Sequence, residues 1–164
     1  MRANASPSAS ASPSGSDAPS ETAAASQAAC PGLTASIDVW EGATGARIAT
    51  ISALNETDAS CSLGGPPGAS LLDGNGTILV ASSGLVGGGP SIDLAAGSFA
   101  QVLVSVRNWC GAPPQGPIGI GLTLPDGSQI VAAPGPDAQF EPPPCNAPGQ
   151  PTTIEVSSQS WTLP

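Results

Sequence analysis

From Cys30 onward the apolar residues come in short alternating runs bounded by turn formers. Leu33, Ala35, Ile37 and Val39 alternate with Thr34, Ser36 and Asp38. Ala100, Val102, Val104 and Val106 share one face, as do Ile118, Ile120, Leu122 and Leu124. A period of two is that of a half-buried strand. The same reading predicts strands over Ile48 to Leu54, Ala69 to Leu72, Thr77 to Val80, Ser91 to Leu94, Gln129 to Ala132 and Thr153 to Val156, with no helical-period segment between them. Asp73-Gly74-Asn75-Gly76 and Pro125-Asp126-Gly127 separate aliphatic runs and offer left-handed backbone positions, so both predict hairpins. Many short strands with turns every eight to twelve residues or so predict an all-β fold, an immunoglobulin-like two-sheet antiparallel β-sandwich, with a closed barrel as the alternative. Pro142 to Pro144, Pro148 and Pro151 mark a long extended crossing that cannot lie in a central strand.

The first 29 residues read differently. Between Ala3 and Ala29, Ala, Ser and Pro supply 21 of 27 residues, with no branched aliphatic or aromatic side chain to bury. Residues 1–29 are therefore expected to be a disordered tether, extended locally by Pro7, Pro13 and Pro19. Residues 30–164 hold 29 Val, Ile or Leu, three Trp and two Phe, enough for one core. Over the whole chain, 21 Gly and 19 Pro in 164 residues exclude a helical bundle.

Charge narrows the partners. Three basic residues, Arg2, Arg47 and Arg107, against twelve acidic ones leave a net charge of −9, which repels a phosphate backbone, so no nucleic-acid partner is expected. No apolar run of about 18 residues is present to span a bilayer, and no short apolar stretch follows Met1 and Arg2, so an export signal is expected to have been removed or to lie upstream.

Four cysteines, Cys30, Cys61, Cys110 and Cys145, stand 31, 49 and 35 residues apart, and with no histidine in the chain this is not zinc spacing. An even set of well-spaced cysteines in an acidic, lysine-free chain behind a Ser/Ala/Pro tether predicts an exported protein with two disulfides. Three pairings are possible. Cys30 with Cys61 and Cys110 with Cys145 is preferred, because each then encloses a few consecutive strands.

A set of short motifs runs through the same region: Cys30 with Leu33; Gly45-Ala46-Arg47 opening a strand that ends at Asn55; Cys61-Ser62-Leu63-Gly64-Gly65-Pro66; and Leu72-Asp73 with Gly76. Leu94-Ala95-Ala96-Gly97, Asn108-Trp109-Cys110, Leu124-Pro125-Asp126-Gly127 and Pro143-Pro144-Cys145-Asn146 before Pro148-Gly149 complete it. In order and spacing the chain resembles the domain of unknown function 4232, found in secreted proteins and lipoproteins of bacteria with GC-rich genomes. The resemblance implies an extracytoplasmic β-sandwich, often lipid-anchored behind a low-complexity linker, and no activity. Cys30 matches the first cysteine of the domain itself, so membrane attachment is expected only through a lipid anchor upstream. In a bacterial chain the Asn-x-Ser/Thr sequons at Asn4, Asn55 and Asn75 are chance matches.

Catalytic chemistry finds little to work with. Without His or Lys no side chain supplies a base near neutral pKa, so no Ser/His/Asp or Cys/His centre is expected. Gly84 to Gly89 runs into Pro90 and a strand rather than a helix, so it is a loop and not a phosphate cradle. Most of the ten acids after Cys30, including Glu41, Glu56, Asp58, Asp73, Asp126 and Asp137, fall in predicted turns. Asp38 and Asp93 lie within strands and are the two to examine for paired-carboxylate chemistry. No EF-hand spacing is present, and neither a metal nor a cofactor is expected. Trp109 is expected to pack on its neighbouring disulfide. Trp40 and Trp161 are the candidates for stacking on a ligand, and Arg47 and Arg107 either pair with surplus carboxylates or orient an anion.

The leading expectation is a non-enzymatic extracytoplasmic cell-envelope module, monomeric and displayed on a flexible tether, that binds an envelope protein or glycan. A carboxylate-dependent glycan hydrolase and a structural envelope spacer are the alternatives.

Overall fold

The computed structural model describes residues 30–84 and 86–164; the tether expected over residues 1–29 lies outside the described residues. The described residues are all-β, with ten strands and no helix. These are β1 (Leu33–Ala43), β2 (Ala46–Asn55), β3 (Cys61–Leu63), β4 (Gly68–Leu72), β5 (Ile78–Ala81), β6 (Ile92–Leu94), β7 (Phe99–Arg107), β8 (Gly119–Thr123), β9 (Gln129–Pro134) and β10 (Thr153–Val156). All nine runs of period two become strands. The strand not anticipated, β3, is three residues long and pairs with the equally short β6, Cys61 opposite Leu94.

Hydrogen bonding departs from the expected division into two comparable sheets. Eight strands form one continuous sheet in the order β10-β7-β2-β1-β9-β8-β4-β5, and β3-β6 makes a separate ribbon. The large sheet rolls so that β10 packs against β4 and β5, which brings it close to a barrel, although no ladder joins β10 to β5 among the described residues. Nor is the sheet wholly antiparallel. β1 runs parallel to β9, Ala35 opposite Ala132 and Ile37 opposite Pro134. The two strands are so far apart in sequence that intervening strands make the crossover and no connecting helix is needed.

Both anticipated hairpins form. Leu124 N donates to Ser128 O at 2.8 Å and Gly127 N to Leu124 O at 2.9 Å around a Gly127 with φ of 85°, closing β8 on β9. Asp73 N donates to Thr77 O at 3.0 Å in the matching turn between β4 and β5, where Gly76 has φ of 81°.

Inside the roll, Ile37, Ile51, Val102, Val104, Val106, Ile120, Leu122 and Ile154 are buried almost completely. Burying each such side chain is worth about 1.5–3 kcal/mol relative to leaving it in water. The alternation of β1 holds through Ile37 and then breaks. The register with β2 slips between Ile37 and Val39, so that Ile37 faces Ile51 while Val39 faces Thr50. Asp38 is the extra residue of a bulge, and a one-residue slip exchanges the faces of everything after it. Val39, expected on the same side as Ile37, is 39 % exposed, and Trp40 turns inward to half-burial instead.

Candidate functional site

The cysteines are joined as preferred, Cys30 to Cys61 and Cys110 to Cys145, a pairing that oxidising environments favour. Cys61 is buried in the core, whereas Cys110 and Cys145 are both exposed.

The second disulfide belongs to a clamp at one end of the β1–β2 hairpin. Trp40 meets the ring of Phe140 edge-on at 4.7 Å between centroids, and Trp109 meets the same ring at 6.1 Å. Trp109 also donates its Nε1 to Ala112 O at 2.9 Å. Its ring thus pairs with Phe140, beside the disulfide of the adjoining Cys110. Arg47 donates Nε to Glu141 O at 3.0 Å and a guanidinium nitrogen to the Glu141 carboxylate at 3.3 Å. Trp40 and Arg47 therefore come together, and what they hold is the proline-rich crossing segment. Arg107 is exposed at the end of β7 opposite Ala46 and Thr153 and makes no ion pair among the described residues. Trp161, 4 % exposed, is part of the core, with its Nε1 buried and lacking a partner among the described residues.

A different set of residues converges on the outer face of β1, β2 and β7. In that register Thr34, Leu54 and Phe99 form one row, Ser36, Ser52 and Gln101 the next, and Val39, Thr50 and Leu103 a third. The bulge delivers Asp38 onto the middle row. Its Oδ2 accepts Ser52 Oγ at 2.6 Å and Gln101 Nε2 at 3.3 Å, its Oδ1 accepts Ser36 Oγ at 3.3 Å, and Gln101 Nε2 also reaches Ser52 Oγ at 3.2 Å. The network is exposed or half-buried throughout. On either side of it, Phe99, Val39 and Leu103 are 38 %, 39 % and 42 % exposed. Thr34, Ser36, Ser52, Leu54 and Phe99 line a shallow cavity of about 330 Å³.

A polar row between two largely apolar rows can accept hydrogen bonds from a ligand while the flanking side chains cover its apolar surface, which is binding chemistry. Of the two acids singled out from the sequence, Asp38 lies in this network, and Asp93 lies on β6 opposite Ser62. Among the described residues no group of three or more His, Cys, Asp or Glu is placed to hold a metal ion. Phe99, Ser52 and Gln101 were not singled out from the sequence. Phe99 opens a strand whose inward positions were read correctly, and the outward positions of the same strand were the available signal.

Compared with known families, residues 29–160 match the one described as "Domain of unknown function (DUF4232)", the family that the motif order resembles. The comparisons with curated proteins and with solved structures return no match.

Proposed function

The chain belongs to the DUF4232 family, and from that premise we propose that it is a non-enzymatic extracytoplasmic module that binds a component of the cell envelope, a protein or a glycan, through the outer face of β1, β2 and β7. The carrying observation is the exposure of Phe99, Val39 and Leu103 on one sheet face around the Asp38 network. Scattered apolar residues on a surface are ordinary, but large exposed ones on β1 and β7, set on either side of an ordered polar row, are a feature of interaction sites. The disulfides favour an extracytoplasmic location, and the composition of residues 1–29 suits a tether that would present the face at a distance from its attachment. The structural-spacer alternative has no use for such a face. Paired-carboxylate hydrolysis needs two acids across a cleft, and the row of Ser36, Ser52 and Gln101 carries a single one, Asp38.

The test is co-sedimentation of the purified, oxidised chain with isolated bacterial envelopes. Wild type should pellet with them and the Val39→Glu, Leu103→Glu double variant should stay in the supernatant. Equal retention of the two proteins would overturn the assignment of this face.

A further inference from the structure

We infer that the ligand of this face is a neutral saccharide, with the cavity beside Phe99 taking one sugar unit; the inference rests on the binding reading above and specifies its chemistry. Sugars present two kinds of surface, patches of C–H groups on the ring faces and hydroxyls that donate and accept at the rim. The site offers a counterpart to each. The exposed ring of Phe99 and the side chain of Leu54, neighbours in register on β7 and β2, supply an apolar wall. One row away, Asp38 offers a charged acceptor, Ser36 and Ser52, whose hydrogens are given to Asp38, offer hydroxyl oxygens, and Gln101 carries a carboxamide oxygen that accepts no bond from the protein among the described residues, so the row receives the sugar's hydroxyl hydrogens.

These polar groups are already fixed on one another. Asp38 accepts three side-chain bonds, which leaves a carboxylate oxygen capacity for one more donor. A ligand hydroxyl therefore meets an acceptor whose position has been set by folding, and less side-chain entropy is lost on binding. All of this sits on paired strands rather than on loops, which holds the spacing of the apolar wall and polar row constant.

Charge selects the neutral class. An anionic ligand would approach Asp38 on a chain of net charge −9 that has no lysine. The one arginine on the same outward series of β7, Arg107, is eight residues from Phe99, about 26 Å away at the rise of a strand, too far to neutralise an anion in the cavity. At about 330 Å³ the cavity stands at the small end of ligand sites, which run from about 300 to 1,000 Å³, so a longer glycan would lie across the face with one unit seated.

The test uses the full, oxidised chain, titrated with chitohexaose and cellohexaose as neutral probes and polygalacturonate as an acidic one, followed by amide chemical shifts. The expected result is that a neutral probe shifts Ser36, Ser52, Phe99 and Gln101, that Phe99→Ala and Asp38→Asn each weaken binding at least tenfold, and that polygalacturonate binds more weakly. Both substituted side chains face solvent, and unchanged amide spectra elsewhere verify that the variants are folded. If neither neutral probe binds, if polygalacturonate binds more tightly, or if Phe99→Ala leaves the affinity unchanged, the saccharide assignment is overturned. Should the probes fail while envelope co-sedimentation remains sensitive to Val39→Glu and Leu103→Glu, the partner is a protein, and the binding function stands without the saccharide.

Discussion

Asn108 holds the backbone of Ala147 from both ends: its Nδ2 donates to Ala147 O at 3.1 Å and its Oδ1 accepts Ala147 N at 2.8 Å. The same amide nitrogen reaches Gln150 O at 3.0 Å. One side chain at the end of β7 thus replaces the strand partner that the proline-rich segment cannot find for itself. Asn108 adopts a left-handed backbone, φ 56°, which asparagine tolerates better than other side-chain-bearing residues.

Two substitutions separate these roles. Asn108→Gly keeps the backbone conformation accessible and loses the side-chain bonds, at a cost of about 2 kcal/mol, whereas Asn108→Ala adds about 1 kcal/mol of backbone strain. Urea unfolding of the oxidised proteins should rank them wild type, Gly, Ala. An alanine variant as stable as the glycine one would show that the left-handed conformation is not retained.

Asn55 is a second such hub, wholly buried at the end of β2. Its Nδ2 lies 2.8 Å from Ala59 O, 3.3 Å from Leu94 O and 3.2 Å from Ala95 O, and its Oδ1 accepts from Thr57 N and Thr57 Oγ1. Asn55→Ala strips partners from several backbone groups and should cost about 3 kcal/mol. Asn55→Asp should be worse at pH 7, because it turns a carboxylate oxygen toward three carbonyls at a wholly buried position. Equilibrium unfolding at pH 7 checks the order, and an aspartate variant more stable than the alanine one would contradict it.

The disulfides should differ in accessibility more than in worth. They close loops of 31 and 35 residues, each contributing about 3.7 kcal/mol in the chain-entropy account. Cys110 and Cys145 are both exposed, while Cys61 is 6 % exposed. Under limiting reductant, alkylation and mass mapping should find Cys110 and Cys145 modified first, with Cys30 and Cys61 following on unfolding. Simultaneous labelling of all four would mean that global unfolding gates both.

Acid should loosen the hairpin turns selectively. The Asp126 carboxyl lies below the ordinary aspartate range because Ser128 Oγ donates to it at 2.6 Å and Ser128 N at 2.9 Å; Asp73 is lowered chiefly by Thr77 N at 2.8 Å, with Asn75 N adding to it. A group whose folded pKa is depressed adds stability above its unfolded pKa and loses it as pH falls through the folded value. The gap in urea midpoint between wild type and Asp126→Ala should therefore be steady from pH 7 to about pH 5 and shrink below about pH 4. A gap that widens on acidification would reverse the sign of this contribution.

Strand positions were legible because burial on one face writes a period of two into the sequence, and the hairpins were legible because Gly76 and Gly127 occupy backbone conformations that favour glycine. What escaped is what depends on distant partners. β3 has only Cys61, Ser62 and Leu63 to announce it. The slip at Asp38 leaves the apolar alternation of Ile37 and Val39 intact as letters while it moves Val39 to the other side of the sheet. The binding face follows from that slip and from the register that sets Ser52 against Gln101, a pairing of residues too ordinary to stand out individually. Trp40 and Arg47 drew attention by rarity, and their work is to fasten a crossing segment.

The parallel pairing of β1 with β9 bears on the time course of folding. Ala35 and Ala132 are 97 positions apart, so a chain delivered N-terminus first presents one flank of β1, with its backbone amides and carbonyls unmatched, until most of the polypeptide has arrived. Closing so long a loop is slow, and an unmatched flank can accept the wrong strand meanwhile. The early hairpin of β1 with β2 is thus a waiting template rather than a finished unit, and assembly of the roll is held back to the arrival of β9.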